Sequence, residues 1–149
     1  MKASLPHTQK GVAAIEFALV FVIFFAVFYG AVAYSLPLLM KQTFNEAAAE
    51  GVRQAVAVDP TTSGTSYASL VRSTAIAAAF KALHGLPSSL NVTSSYVSAT
   101  YTGAGSVLTV TITYPSSNLN SVLPFLVLPG VGSVPSLPTN LTASSSLLL

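Results

Sequence analysis

Residues 17–40 read FALVFVIFFAVFYGAVAYSLPLLM, a run of 24 residues without a charged side chain. As a helix rising about 1.5 Å per residue it is roughly 36 Å long, enough for a hydrocarbon layer about 30 Å thick. No face of it is polar, so it is not an amphipathic helix lying on a surface. Tyr29 and Tyr34 carry the only polar aromatic tips, and Tyr34 is placed to reach the far interface. Gly30 and Pro37 are tolerated in lipid, Pro37 as a kink. The run therefore predicts one membrane-crossing helix.

Outside this run the chain is equally poor in charge. Of its 149 residues 52% are hydrophobic and 7% charged, against about 25% charged in an average soluble domain. All ten charged side chains lie at or before Lys81. Disorder is excluded, because disordered chains are apolar-poor and charge-rich. There is no cysteine, hence no disulfide, thiolate metal site or Cys nucleophile. A net charge of +2 is too small for a nucleic-acid footprint. The composition points to a membrane or assembly protein.

The junction before the apolar run is KGVAAIEF, residues 10–17. Glu16 stands at the edge of the run, where a carboxylate is costly unless it pairs or reaches the headgroups. Read blandly, it is an interfacial glutamate without a role. A sharper reading begins at Gly11, whose lack of a side chain gives a protease access to the backbone. Cleavage after Gly11 leaves Val12 first and Glu16 fifth. It also creates an α-amine, a group that ordinarily titrates at about 7.7–8.0 and is mostly charged at neutral pH. A neighbouring copy could offer that cation to Glu16.

Residues 10–17, with the apolar helix behind them, resemble the cleavage site of type IV pilins and pseudopilins. Residues 45–56, NEAAAEGVRQAV, narrow this. They are similar to the segment after the membrane helix in the TadE-like family, minor pseudopilins of the bacterial tight-adherence (Tad, or Flp) pilus system. The resemblance is close from Gly11 to about Val58 and weak beyond.

It implies a leader over 1–11, a transmembrane and assembly helix over 12–40, and an exported pilin-like domain over 41–149. A prepilin peptidase would cut between Gly11 and Val12, and Glu16 and Phe17 would serve subunit assembly. Implied partners are other pilin and pseudopilin subunits, the prepilin peptidase, the inner-membrane pilus assembly platform and the lipid bilayer. The implied place is the bacterial inner membrane, N-terminus cytoplasmic and the larger domain periplasmic. The function implied is pilus assembly, and through it adhesion or secretion. Charge alone does not orient the span, because Lys2 and Lys10 before it balance Lys41 and Arg53 after it.

Two other readings compete. Ala31-Val32-Ala33 is an A-x-A pattern, and a signal peptidase cutting after Ala33 would release a soluble chain starting at Tyr34. The apolar run continues past that point, and Glu16 is out of place in a signal's charged n-region. Alternatively, the chain is an unprocessed single-pass anchor for an envelope-binding domain.

Beyond the run, residues 41–58 continue the helix. Phe44, Ala47, Ala48, Gly51, Ala55 and Val58 form a narrow apolar stripe, and Glu50 and Arg53, spaced to pair, read as part of a solvated face. Asp59-Pro60 is the expected stop. A second helix is predicted over 67–84, with Ser66 as N-cap and Gly85 as C-terminal cap. Its periodicity offers two faces, one through Tyr67, Leu70, Val71, Thr74 and Ala78, the other through Ile76, Phe80 and Leu83. Strands are predicted over 92–101 and 107–114 around a Gly-containing hairpin loop, with a third over 140–149.

In the second strand Leu108, Val110, Ile112 and Tyr114 face the core, and Thr109, Thr111 and Thr113 face away. Residues 116–138 hold four prolines, too many for a helix or central strand. Their apolar stretch 122–128 either fills the core or meets partners or lipid. The fold class expected is α+β, two helices on a small antiparallel sheet. No nucleophile, base and orienting group can be assembled, so the reading is not an enzyme, with no cofactor and no metal.

Overall fold

The computed structural model describes residues 10–61, 65–103, 105–128 and 132–149. Most of the expected leader therefore lies outside the described residues, as do parts of the loop after Pro60 and of both hairpin turns. Helix α1, Lys10–Ala55, runs unbroken through Pro37 for 46 residues, about 69 Å. Ser35 and Thr43 turn their hydroxyls back onto the carbonyls of Val32 (2.7 Å) and Leu39 (3.0 Å), so neither needs a partner outside the helix.

α1 ends before the expected Asp59-Pro60 stop. The Ala57 and Val58 N–H groups tighten onto the Gln54 and Ala55 carbonyls, both at 3.2 Å, which lets Val58 fold back into the core. The Asp59 carboxylate then accepts the Thr61 N–H at 2.8 Å and shapes the turn.

Helix α2, Thr65–Ala82, starts earlier than predicted, with Ser66 already inside its first turn. A short 3-10 turn, Leu83–Gly85, closes it. Gly85 is thus not a left-handed cap; among the described glycines positive φ occurs at Gly105 and Gly132. The buried face of α2 runs through Val71, Ala75, Ala79 and Leu83, between the two faces the sequence offered. Leu70 is largely exposed.

Strand β1, Val97–Thr102, pairs antiparallel with β2, Val107–Pro115, and β2 pairs antiparallel with β5, Asn140–Leu148. The central strand is β2. β1 begins five residues later than predicted. Asn91 adopts φ 48°, Thr93 and Ser95 share a hydroxyl bond at 2.7 Å, and Ser94–Tyr96 coils into a 3-10 turn. Short polar side chains bonding locally here outcompete the ladder.

The alternation in β2 holds: Leu108, Val110, Ile112 and Tyr114 are all fully buried. Both helices pack on that face, α1 over β2 and β5 and α2 over β1, giving the expected α+β arrangement. The opposite face is lined by Thr109, Thr111 and Thr113 with Ser144 and Ser146 beside them.

Tyr114 anchors the core. Its ring meets Phe44 at 5.9 Å and Tyr96 at 5.3 Å, and its hydroxyl donates to the Leu90 carbonyl at 2.7 Å. Burial pushes its phenol above the ordinary range; Tyr96 adds to this and the nearby Asn118 amide opposes it. Tyr114→Phe leaves the Leu90 carbonyl unpaired and is expected to cost about 1–2 kcal/mol, read from thermal melts.

The sign of the pH effect follows from the raised value. The folded state holds this proton more tightly than the unfolded chain, whose tyrosine titrates near 10. Stability from Tyr114 is full below that value and is lost as the pH rises through the folded one. The alkaline fall in melting temperature should therefore be shallower in Tyr114→Phe.

The sequence missed a second, two-stranded sheet. β3, Leu126–Leu128, pairs antiparallel with β4, Gly132–Val134, inside the proline-rich connection between β2 and β5. This ribbon stays outside the main sheet, which is where prolines leave room for strands.

Candidate functional site

α1 has two unlike parts. Residues 11–25 are exposed all round. From Ala26 upward one stripe is covered, and it deepens through Ala33, Pro37, Met40 and Phe44 until the helix becomes the spine of the domain. The same helix is thus a bare apolar rod at one end and a core element at the other.

All four residues singled out by the sequence, Gly11, Val12, Glu16 and Phe17, lie on the first turns of the bare part and are exposed. A Cβ added at Gly11 would meet nothing within 4 Å, and its backbone is not in the left-handed region. Neither packing nor conformation among the described residues calls for glycine there. Gly51 is the opposite case. A Cβ there would stand 2.7 Å from the Ala75 carbonyl oxygen and 2.9 Å from the Ala79 Cβ, so glycine is what lets α1 and α2 touch.

Glu16 sits between Ile15 and Phe17, both 70% exposed, and has no hydrogen bond or ion pair among the described residues. It lies one turn above Val12 on the same side of the helix. Phe17 begins a ladder of rings at i, i+4 spacing. Phe17–Phe21, Phe21–Phe25 and Phe25–Tyr29 lie 6.0, 6.2 and 6.3 Å apart, and Phe24–Phe28 stack beside them at 6.1 Å.

At its top the ladder meets the connection between β2 and β5. The Tyr29 hydroxyl donates to the Pro124 carbonyl, and the Tyr34 hydroxyl accepts the Ser136 N–H at 2.9 Å. Sequence reasoning missed this clasp. Its signal was present in two polar tips and the small residues Ala26, Gly30 and Ala33 within an otherwise bulky run.

Several other polar groups bond locally. Arg53 holds Glu50 through two bonds of 2.7 and 2.8 Å, and Gln54 adds a third at 2.7 Å. Gln54 first and Arg53 second keep the Glu50 carboxyl below its usual range. The His84 Nδ1 lies 3.0 Å from the Lys81 carbonyl, and its ring meets Phe80 edge-on at 5.0 Å. No three of His, Cys, Asp or Glu come together to hold a metal among the described residues. The arrangement exposes an apolar rod long enough to cross a membrane and presents a carboxylate near its start.

Comparison with known families adds one match. Residues 11–53 match the family model described as TadE-like protein. The match spans nearly all of α1, both the bare rod and the domain spine, and includes Gly11, Glu16 and Gly51. No curated protein matches the chain, and no solved structure matches it. The similarity to the TadE-like family is thus a similarity of α1.

Proposed function

We propose that this chain is a minor pseudopilin of a Tad/Flp-type pilus, cut after Gly11 by a prepilin peptidase and acting in pilus assembly. The observation that carries the reading is the continuity of α1. One helix runs from a bare rod, uncharged beyond Glu16, into the core of a folded domain, so a subunit can leave the bilayer and pack rod-to-rod without refolding.

The unemployed glycine at 11 supports a role for its backbone rather than for local packing. Unpaired Glu16 supports a role for an incoming cation, which the α-amine of a cleaved neighbour supplies. The apolar rod would then provide the contact area, and the Glu16 pair the axial register, because a slip of one residue strands both charges. Other pilin-like subunits and the inner-membrane assembly platform are the partners of this reading, with the larger domain on the periplasmic side.

A cut after Ala33 fits less well. Ala33 is fully buried in the unbroken helix, between the two tyrosines that clasp the β2–β5 connection. The test is the mass of the mature chain from cells with a working prepilin peptidase. A chain starting at Val12 is expected. A chain starting at Tyr34, or one left uncut, overturns the proposal. Gly11→Trp should abolish processing and leave full-length protein in the membrane fraction, checked on the same mass spectra.

A further inference from the structure

Outside α1, strand β3 and the segment before it carry exposed apolar side chains. Val127 is 78% exposed, its neighbour Leu126 37% and Val122, five residues earlier, 39%. Among the described residues of this stretch, Phe125 is packed against the core. No charged side chain occurs anywhere after Lys81. Such a surface is not built to face water.

Its height along α1 is fixed. Pro124 and Ser136, on either side of β3 and β4, are hydrogen-bonded to Tyr29 and Tyr34. Both tyrosines belong to the uncharged run, so the two strands are held beside that run and not above it. From Gly11 to Tyr29 the helix rises about 27 Å, close to the roughly 30 Å of a hydrocarbon layer. A helix that enters lipid near Gly11 therefore brings Tyr29 to the opposite boundary, where tyrosine hydroxyls are favoured. A helix that enters later carries the strands deeper. A two-stranded ribbon has backbone groups on its outer edges, which hydrocarbon cannot satisfy and the headgroup layer can. That selects the boundary.

We propose that the paired strands β3 and β4 are a second membrane contact of this chain. They rest in the headgroup–acyl boundary of the leaflet next to the C-terminal domain, with Val127, the more exposed of the two neighbouring β3 side chains, against lipid. They act as a stop that sets how far α1 sinks. The proposal rests on the membrane reading of α1 given above.

The chain contains no tryptophan, so a single introduced one reports without background. Full-length V127W, V20W and V56W are reconstituted separately in phosphatidylethanolamine and phosphatidylglycerol vesicles whose acyl chains carry bromine near the headgroup or near the chain end. Val20 lies on the bare rod; Val56 follows the last residue of α1; all three side chains are exposed, so the fold tolerates the changes.

V127W is expected to lose most of its emission, more to shallow than to deep bromine. V20W should be quenched most by deep bromine, and V56W should keep its emission. If V20W is quenched and V127W is not, the β3–β4 proposal falls and the membrane helix stands. If neither is quenched, both fall. Stronger quenching of V127W by deep than by shallow bromine would overturn the boundary placement.

Discussion

Gly51→Leu is expected to be the most damaging single substitution in the folded domain. The first carbon of any side chain there would meet the Ala75 carbonyl oxygen at 2.7 Å and the Ala79 Cβ at 2.9 Å. Neither neighbour can give way, because one is backbone and the other has no rotamer to change. α1 and α2 would have to part, opening a seam lined by the fully buried Ala48, Ala55, Val71 and Ala75.

Two substitutions at this site separate propensity from packing. Alanine gains up to about 1 kcal/mol of helix propensity over glycine and meets an overpacking cost of about 1–3 kcal/mol. Gly51→Ala should therefore lie between neutral and about 2 kcal/mol destabilised. Gly51→Leu gains the same propensity but drives three more carbons into α2, and is expected to cost about 3 kcal/mol or more. For a domain near a hundred residues this lowers the melting temperature by roughly 10 °C or more. Melts of the full chain in detergent, followed by circular dichroism, read both. Equal melting of Gly51→Leu and the parent chain would mean that the two helices do not need this close approach.

Glu16→Ala is expected to have the largest effect on assembly with the smallest effect on the isolated subunit. Its side chain is exposed and unpaired among the described residues, so removing it disturbs no contact of the fold. Insertion should be unchanged or improved, because a carboxylate at the edge of an apolar run is itself a cost. In a packed bundle of rods the balance reverses. Removing one partner of a buried, paired charge costs about 3–5 kcal/mol, since the other is left stranded, and this is at least about two orders of magnitude in an association constant. Co-purification of two differently tagged copies, together with pilus counts, reads the loss. Normal pili with Glu16→Ala would remove Glu16 from any role in register while leaving the cleavage reading intact.

The features read correctly from sequence are those where one physical signal had no competitor. In β2 strict alternation of bulky apolar residues with threonine admits a single face, and Leu108, Val110, Ile112 and Tyr114 are buried as read. The stripe through Phe44, Ala47, Ala48, Gly51, Ala55 and Val58 was equally clear, because bulk and charge fall on different sides of the helix. α2 was ambiguous because alanine suits either a buried or an exposed position. The choice of Val71, Ala75 and Ala79 was made by where α1 and β1 stand. The late start of β1 was hidden because Ser, Thr and Asn bond locally, and a β-propensity count does not see those bonds.

For the site, the spacing of Gly11 and Glu16 ahead of an uncharged run was legible, since charge and chain length are properties of sequence. That Gly11 is free of structural duty while Gly51 is bound by it was not, because both are glycines in the same helix. Only the distances from Gly51 to α2 separate them.

By itself, then, the sequence determined that one long apolar helix dominates this protein, that a small α+β domain follows it, and that the few charges are confined to the first 81 residues. These follow from hydrophobic periodicity and composition, which act locally along the chain. Tertiary structure decided how the helix is divided between bare rod and domain spine. That boundary is set near Ala26 to Tyr34 by a connection some ninety-five residues downstream, through the Tyr29 bond to Pro124 and the Tyr34 bond from Ser136. An apolar residue in a long run reads the same whether lipid or protein will cover it. Which of the two does so depends on what the rest of the chain brings alongside.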